Sequence, residues 1–318
     1  MKELTMKTKA IIIAILGFAG IECHAQYDAM FTQYMFNEMF INPAYAGTKE
    51  AMSATLLHRQ QWVNFPGRPV TTAFSLHGPI MENKMGAGLS VLNERIGSLS
   101  RNLIYGSYAY RLKIDDKNTI SMGLSAGIEN QVNRLSELRL SDVNSTNDPQ
   151  FAGTPSATAP NFGVGLFYSN KKAFGGISIP RLLDNDIKLN NSGSTVKVTR
   201  FTASRFTYYL TGGYLFEFSD MYKLRTSAML KLVKNAPAQM DLTANLLIDN
   251  LIWAGLSYRT KSSMSAILGV QVNKQLLVSY SFDYGVNKIQ AYSLGSHEIV
   301  LNYLFSFSGK KIITPRYF

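Results

Sequence analysis

Three histidines stand where they could do chemistry, His58, His77 and His297, each near the end of an alternating segment and far from the others. No HxxxH spacing and no cysteine pair accompanies them, so the pattern gives a metal centre no support. A Ser/His/Asp triad needs no closeness in sequence and stays open on that ground. There is, however, no GxSxG elbow and no GxxxxGK phosphate loop. The expectation is a non-enzymatic chain with no metal and no cofactor.

The charged residues suggest a different chemistry, that of ion pairing away from bulk water. Glu129, Glu217, Lys223, Arg225, Lys231, Asp241, Asp249, Arg259, Asp283 and Glu298 fall on the polar side of segments whose other side is apolar. Charges behind an apolar wall are tolerated only when paired or wet. These residues are therefore predicted to form a network inside such a wall, propping a lumen rather than conducting through it.

The segments that carry them repeat with period two. Thr119 to Asn130 sets Ile120, Met122, Leu124, Ala126 and Ile128 against Ser121, Gly123, Ser125, Gly127 and Glu129. Residues 85–93, 161–169, 238–249, 275–285 and 298–307 copy that alternation, and weaker examples fill most of the remaining chain. The count reaches about fourteen, an even number as single-chain outer-membrane barrels require. Tyr and Phe crowd the ends of the apolar faces, where a membrane interface favours amphipathic rings. From the second strand on, compact links such as DDKN, NKK, SD and DN occupy every second junction. Between them lie far longer stretches, 130–160 and 180–205. A β-sandwich would also alternate, but it hides its apolar faces inside and gives no reason for links that alternate in length.

The fold expected is an all-β transmembrane antiparallel up-and-down barrel over residues 51–308, with long outer loops and short periplasmic turns. Its apolar side faces lipid, and its Ser and Gly side faces a lumen. Small residues such as Gly86, Gly88, Gly123 and Gly127 leave room beside that inner wall. Three stretches are candidates to fill it: 130–160, 180–205 and the N-terminal residues 26–50, which have no clean strand period yet are rich in Met, Phe and Tyr and are expected as a periplasmic or lumen-plugging segment. Residues 309–318 make a basic periplasmic tail.

The first 25 residues read as a cleaved signal peptide: Lys2, Lys7 and Lys9, then an apolar run, then Ala25. Cys23, the one cysteine, falls inside it. An exported chain without disulfides needs another means of holding together, and closing a sheet on itself supplies one. The formal net charge is +11. For an exported chain, lipid headgroup phosphates or an acidic protein are better partners for that charge than nucleic acid, and no basic run with interleaved aromatics is present.

Several stretches taken together resemble the PorP/SprF family of outer-membrane proteins of the type IX secretion system. They are residues 31–47 (FTQYMFNEMFINPAYAG), 58–80 (HRQQWVNFPGRPVTTAFSLHGPI), 93–97 (NERIG), 147–151 (NDPQF), 296–303 (SHEIVLNY) and 314–318 (TPRYF). Where the family has Asp-Pro before its Gln-Tyr-Met motif, this chain has Asp28-Ala29. The resemblance implies a barrel in the outer membrane beside the secretion machine, whose route is coupled in some bacteria to gliding motility. PorP-like members serve export itself, near periplasmic ring and peptidoglycan-binding proteins. SprF-like members serve one large secreted adhesin, through its C-terminal domain. On that reading the partner-binding candidates are Tyr34 and Asn37 in the N-terminal stretch and Arg59, Trp62 and Arg68 around the first outer loop, where Arg and Trp also suit headgroup anchoring. The N-terminal stretch and the tail would face the periplasm. The alternatives are an outer-membrane channel for a small hydrophobic solute and a secreted sandwich-type adhesin.

Overall fold

Strands rich in β-branched and aromatic residues, punctuated by Asn, Asp and Gly turns, leave the chain one way to cover its edges, which is to close. A computed structural model describes residues 29–49, 51–81, 83–135, 154–189, 195–234 and 236–305. The leader, the motif at 147–151 and the C-terminal tail lie outside the described residues.

The first half of the wall consists of β1 (Met52–Gln60), β2 (Val70–Ile80), β3 (Met85–Ile96), β4 (Leu99–Lys113), β5 (Thr119–Asn133), β6 (Ser156–Ser169) and β7 (Ala173–Ile179). After a separate hairpin, β8 (Asp184–Leu189) with β9 (Thr195–Arg200), the wall resumes. It continues as β10 (Thr207–Glu217), β11 (Tyr222–Val233), β12 (Gln239–Ile248), β13 (Ile252–Arg259), β14 (Ser263–Gln271), β15 (Leu276–Gly285) and β16 (Ser296–Phe305). Fourteen strands form one closed antiparallel barrel, β7 pairing with β10 and β16 with β1.

The phase of the alternation is inverted relative to a soluble protein. Leu124, Leu256 and Leu268 are 61%, 70% and 62% exposed, whereas Ser121, Ser281 and Glu298 are fully covered. The apolar rows point outward to lipid, and the polar rows point in.

The tight turns lie at the end where β1 begins. Asp249 and Asn250 adopt φ of 53° and 52° between β12 and β13, and Leu251 N–H closes the turn on the Ile248 carbonyl at 2.9 Å. Two left-handed residues match the twist of a hairpin, which is why Asp and Asn occupy them. The long links collect at the opposite end, with two departures from the length pattern. β3 and β4 run on past their expected ends and join through Gly97 (φ 57°) and Ser98, and residues 260–262 alone join β13 to β14. The stretch 180–205, expected as a long loop and one candidate to fill the lumen, contains the β8–β9 hairpin.

Candidate functional site

The barrel is not hollow. Residues 29–49 thread its lumen from the long-loop end to the tight-turn end, where they enter β1. Short 3-10 turns at Tyr34–Phe36, Glu38–Phe40 and Pro43–Tyr45 compact the segment. The Asn42 side chain caps the third by accepting from Ala44 N–H at 3.0 Å, with Pro43 at the first position, which needs no donor. Tyr34, Met35, Met39, Ala44 and Tyr45 are each at most 3% exposed. Such irregular backbone is tolerated at membrane depth only when it is enclosed by protein.

Near the long-loop end a charged clasp holds the start of this segment. Glu298 on β16 accepts both Thr32 N–H at 2.9 Å and Gln33 N–H at 2.8 Å through its two carboxylate oxygens. Arg59 on β1 donates to Glu298 at 3.0 Å, to Asp283 on β15 at 2.6 Å and to the Thr32 hydroxyl at 2.8 Å. Thr32 in turn donates to Asp283 at 2.7 Å. Beside the clasp, Arg259 binds Asp241 at 2.7 Å and the Phe31 carbonyl at 2.7 Å. All five charged side chains are at most 5% exposed. Charges so deep persist because each meets an opposite charge and a further hydrogen bond.

The rest of the segment is held around the whole circumference. The Tyr34 hydroxyl lies 3.1 Å from Ser227 on β11, Ser75 on β2 donates to Asn37 at 2.7 Å, and Ser178 on β7 donates to the Ile41 carbonyl at 2.7 Å. Asn42 donates to the Leu166 carbonyl of β6 at 2.9 Å, and Phe36 packs edge-on to Trp253 on β13. His77 accepts from Gly47 N–H at 3.1 Å. The inward glycines are the bed on which the segment lies: a Cβ on Gly123 would strike Ala44 and Pro43, and one on Gly86 would strike Ala46. A small gap of about 70 Å3 lies between Phe31 and Phe40 on one side and Arg101, Tyr105 and Tyr209 on the other.

Glu38 is the one acid buried in the middle of the segment, with Arg225 3.9 Å away.

The expected charge network is thus several separate sites. Asp283, Glu298, Asp241 and Arg259 meet around the clasp, while Arg225 meets Glu38. Lys231 lies 5.8 Å from the Tyr209 ring centroid, and Glu129 takes a 2.5 Å hydrogen bond from Tyr105 near the long-loop end. Glu217, Lys223 and Asp249 stand apart at the tight-turn rim, where strands leave the wall. Glu217 pairs with Lys172 at 3.1 Å on the surface, Lys223 donates to Asn250 at 3.1 Å, and Asp249 occupies the exposed turn.

The five partner-binding candidates also divide. Tyr34, Asn37 and Arg59 are at most 3% exposed and bonded within the lumen, so in this arrangement they offer no surface to another protein. Nor does the start of the segment face the periplasmic end, because Thr32 and Gln33 are bonded to the long-loop ends of β1, β15 and β16. Trp62 and Arg68 do sit in the first outer link. That link is zipped to residues 286–295 by Val63 N–H to the Gly295 carbonyl at 2.8 Å and Leu294 N–H to the Val63 carbonyl at 2.9 Å.

The sequence reading missed Arg59 as a member of the clasp, together with its partners Thr32 and Gln33. It also missed Glu38 and the buried Glu94–Arg101 pair at 3.2 Å. Period two held a signal for Arg59, which shares a face with Ser53, Thr55 and Leu57. Among the described residues no three His, Cys, Asp or Glu side chains gather to hold a metal.

Solved structures share the barrel. A Pseudomonas aeruginosa FadL homologue aligns with a TM-score of 0.50 at 12% identity, over 86% of this chain and 94% of its own. The CymD monoaromatic hydrocarbon channel aligns at 0.47 and 13%, over 91% and 96%. At such identity the likeness is one of fold alone. A comparison with curated protein sequences finds no match. The family model described as type IX secretion system membrane protein PorP/SprF matches residues 23–303, a span that takes in both the lumen segment and the wall closed around it, and the chain belongs to that family.

Proposed function

We propose that this outer-membrane barrel assists export or surface anchoring of a secreted protein, as SprF-like members do for a large adhesin, rather than serving as a PorP-like core export component. It works as a closed scaffold. The observation that carries this reading is the clasp: Arg59, Asp283 and Glu298 fasten Thr32 and Gln33, and the segment that follows occupies the lumen. A filled interior leaves the long-loop end as the place to grip a protein, with Trp62 and Arg68 as binding groups there. Tyr292 and Leu294, 73% and 67% exposed on the linked loop, add apolar surface for such a contact. The tight-turn rim would meet the periplasmic ring or peptidoglycan-binding proteins.

The test is a crosslinked pull-down from intact cells. Recovery of a secreted adhesin through its C-terminal domain is expected, together with loss of that adhesin from the surface when this chain is deleted. Restored uptake of a small hydrophobic solute in a channel-deficient strain, with no secreted protein recovered, would overturn the reading in favour of a channel.

A further inference from the structure

The outer surface of β10 to β15 is grooved. Gly212 stands opposite Ala228 on the outward face, and Ala244 and Ala266 add further small residues on β12 and β14. Together they floor a trough of about 740 Å3, with Tyr258 and Tyr284 at its long-loop side. Ligand pockets usually measure about 300–1,000 Å3, so the trough is large enough to hold one. Its lining is almost wholly apolar and it opens on the lipid side of the wall, so acyl chains are what reach it.

Above the trough, each of the three long-loop links between β11 and β16 carries one lysine, Lys234, Lys261 and Lys288, and none of these links contains an acid. All three lysines are exposed, and among the described residues none has an ion-pair partner. Lysines at a rim are ordinary. What sets these apart is the other end of the same strands, where the tight turns mix Asp220 and Asp249 with Lys274. Height is fixed by the tyrosines: Tyr258 and Tyr284 flank Met264 of β14 on the outward face, and such rings settle at headgroup depth. Lys261 and Lys288 follow them three and four residues later along the chain, which brings their long side chains to the phosphates. Neighbouring links are two strands apart, about 10 Å. That spreads the charge along the rim, which suits a headgroup carrying more than one phosphate.

We infer that this side of the barrel binds lipopolysaccharide, the multiply phosphorylated glycolipid of the outer leaflet, toward which the long links face. Acyl chains lie in the trough, and Lys261 and Lys288, with Lys234 beside them, hold the phosphates. A lipid with a single phosphate would fill the trough and leave part of the charge unmatched. An acidic protein would match the charge and leave the trough to other lipid.

The experiment titrates full-length protein in phosphatidylcholine nanodiscs with three lipids: lipopolysaccharide, the same lipid stripped of its phosphates, and phosphatidylglycerol. Saturable binding of intact lipopolysaccharide is expected. The double variant Lys261→Gln, Lys288→Gln should weaken it about thirtyfold, about fivefold for each lysine, and removing the phosphates should weaken it at least as much. Ala244→Trp fills the trough while keeping every lysine, and it should lower affinity as well; Lys274→Gln, at the tight-turn end, should leave it unchanged. Retained heat-modifiable mobility on a gel verifies that each variant barrel folds. In intact cells a photo-crosslinking residue at Ser262 should give a lipopolysaccharide adduct. Undiminished binding by the folded double variant, equal affinity for phosphatidylglycerol or for the stripped lipid, or an acidic protein as the adduct at 262 would each overturn the inference.

Discussion

The lumen segment and the wall around it obey opposite rules. Residues 29–49 pack like the core of a soluble protein, with Tyr34, Met35, Met39 and Tyr45 buried and the backbone bent into short turns. The wall turns most of its large apolar residues outward and mixes Ser, Thr, Arg and Glu with apolar side chains on the inside. The seam between the two is therefore mixed: Phe167, Trp253, Ile267 and Val300 of the wall pack in one cluster with the segment's aromatics, and ion pairs and hydrogen bonds fasten it at the long-loop end. Breaking one side of the seam should look different from breaking the outer wall.

The largest effect should come from Arg59→Leu. It leaves Asp283 and Glu298 buried without their cation, a loss of about 3–5 kcal/mol. Limited proteolysis should then cut within residues 29–49 while the wall stays folded. Protection equal to the parent protein would mean that the clasp does not fasten the segment.

Leu124→Arg strikes the other side. At the lipid face it should cost about 2–4 kcal/mol against folding into bilayers, read as a shifted urea midpoint. Protease protection of the lumen segment should hold in the molecules that fold. If that protection fell as far as in Arg59→Leu, the two regions would not be separable in this way.

The smallest effect expected is that of Gly123→Val, where the added methyl groups meet the Ala44 backbone. Overpacking of this kind costs about 1–3 kcal/mol, and it should raise hydrogen exchange in residues 42–47 ahead of the wall. Equal protection in both proteins would show that the bed gives way freely.

Much of the wall was legible in the sequence because lipid on one side and polar contacts on the other force period two, and a strand with that period can face only two ways. The Asp-Asn turn at 249–250 and the inward glycines of β3 and β5 could be read for the same local reason. The separation of Glu217, Lys223 and Asp249 from the clasp could not. Their phase was polar, but height along a strand, which sets who meets whom, depends on where each turn falls. Arg59 was placed by its nearness to a loop, although its period aimed it inward.

By itself the sequence determined a barrel with its apolar face outward, since no other closed arrangement covers both the alternation and the edges of these strands. The tertiary structure alone decided what fills the lumen. Residues 29–49 have no period to declare a direction, and their partners Asp283 and Glu298 lie about 250 positions away along the chain, brought within reach only when β16 closes on β1.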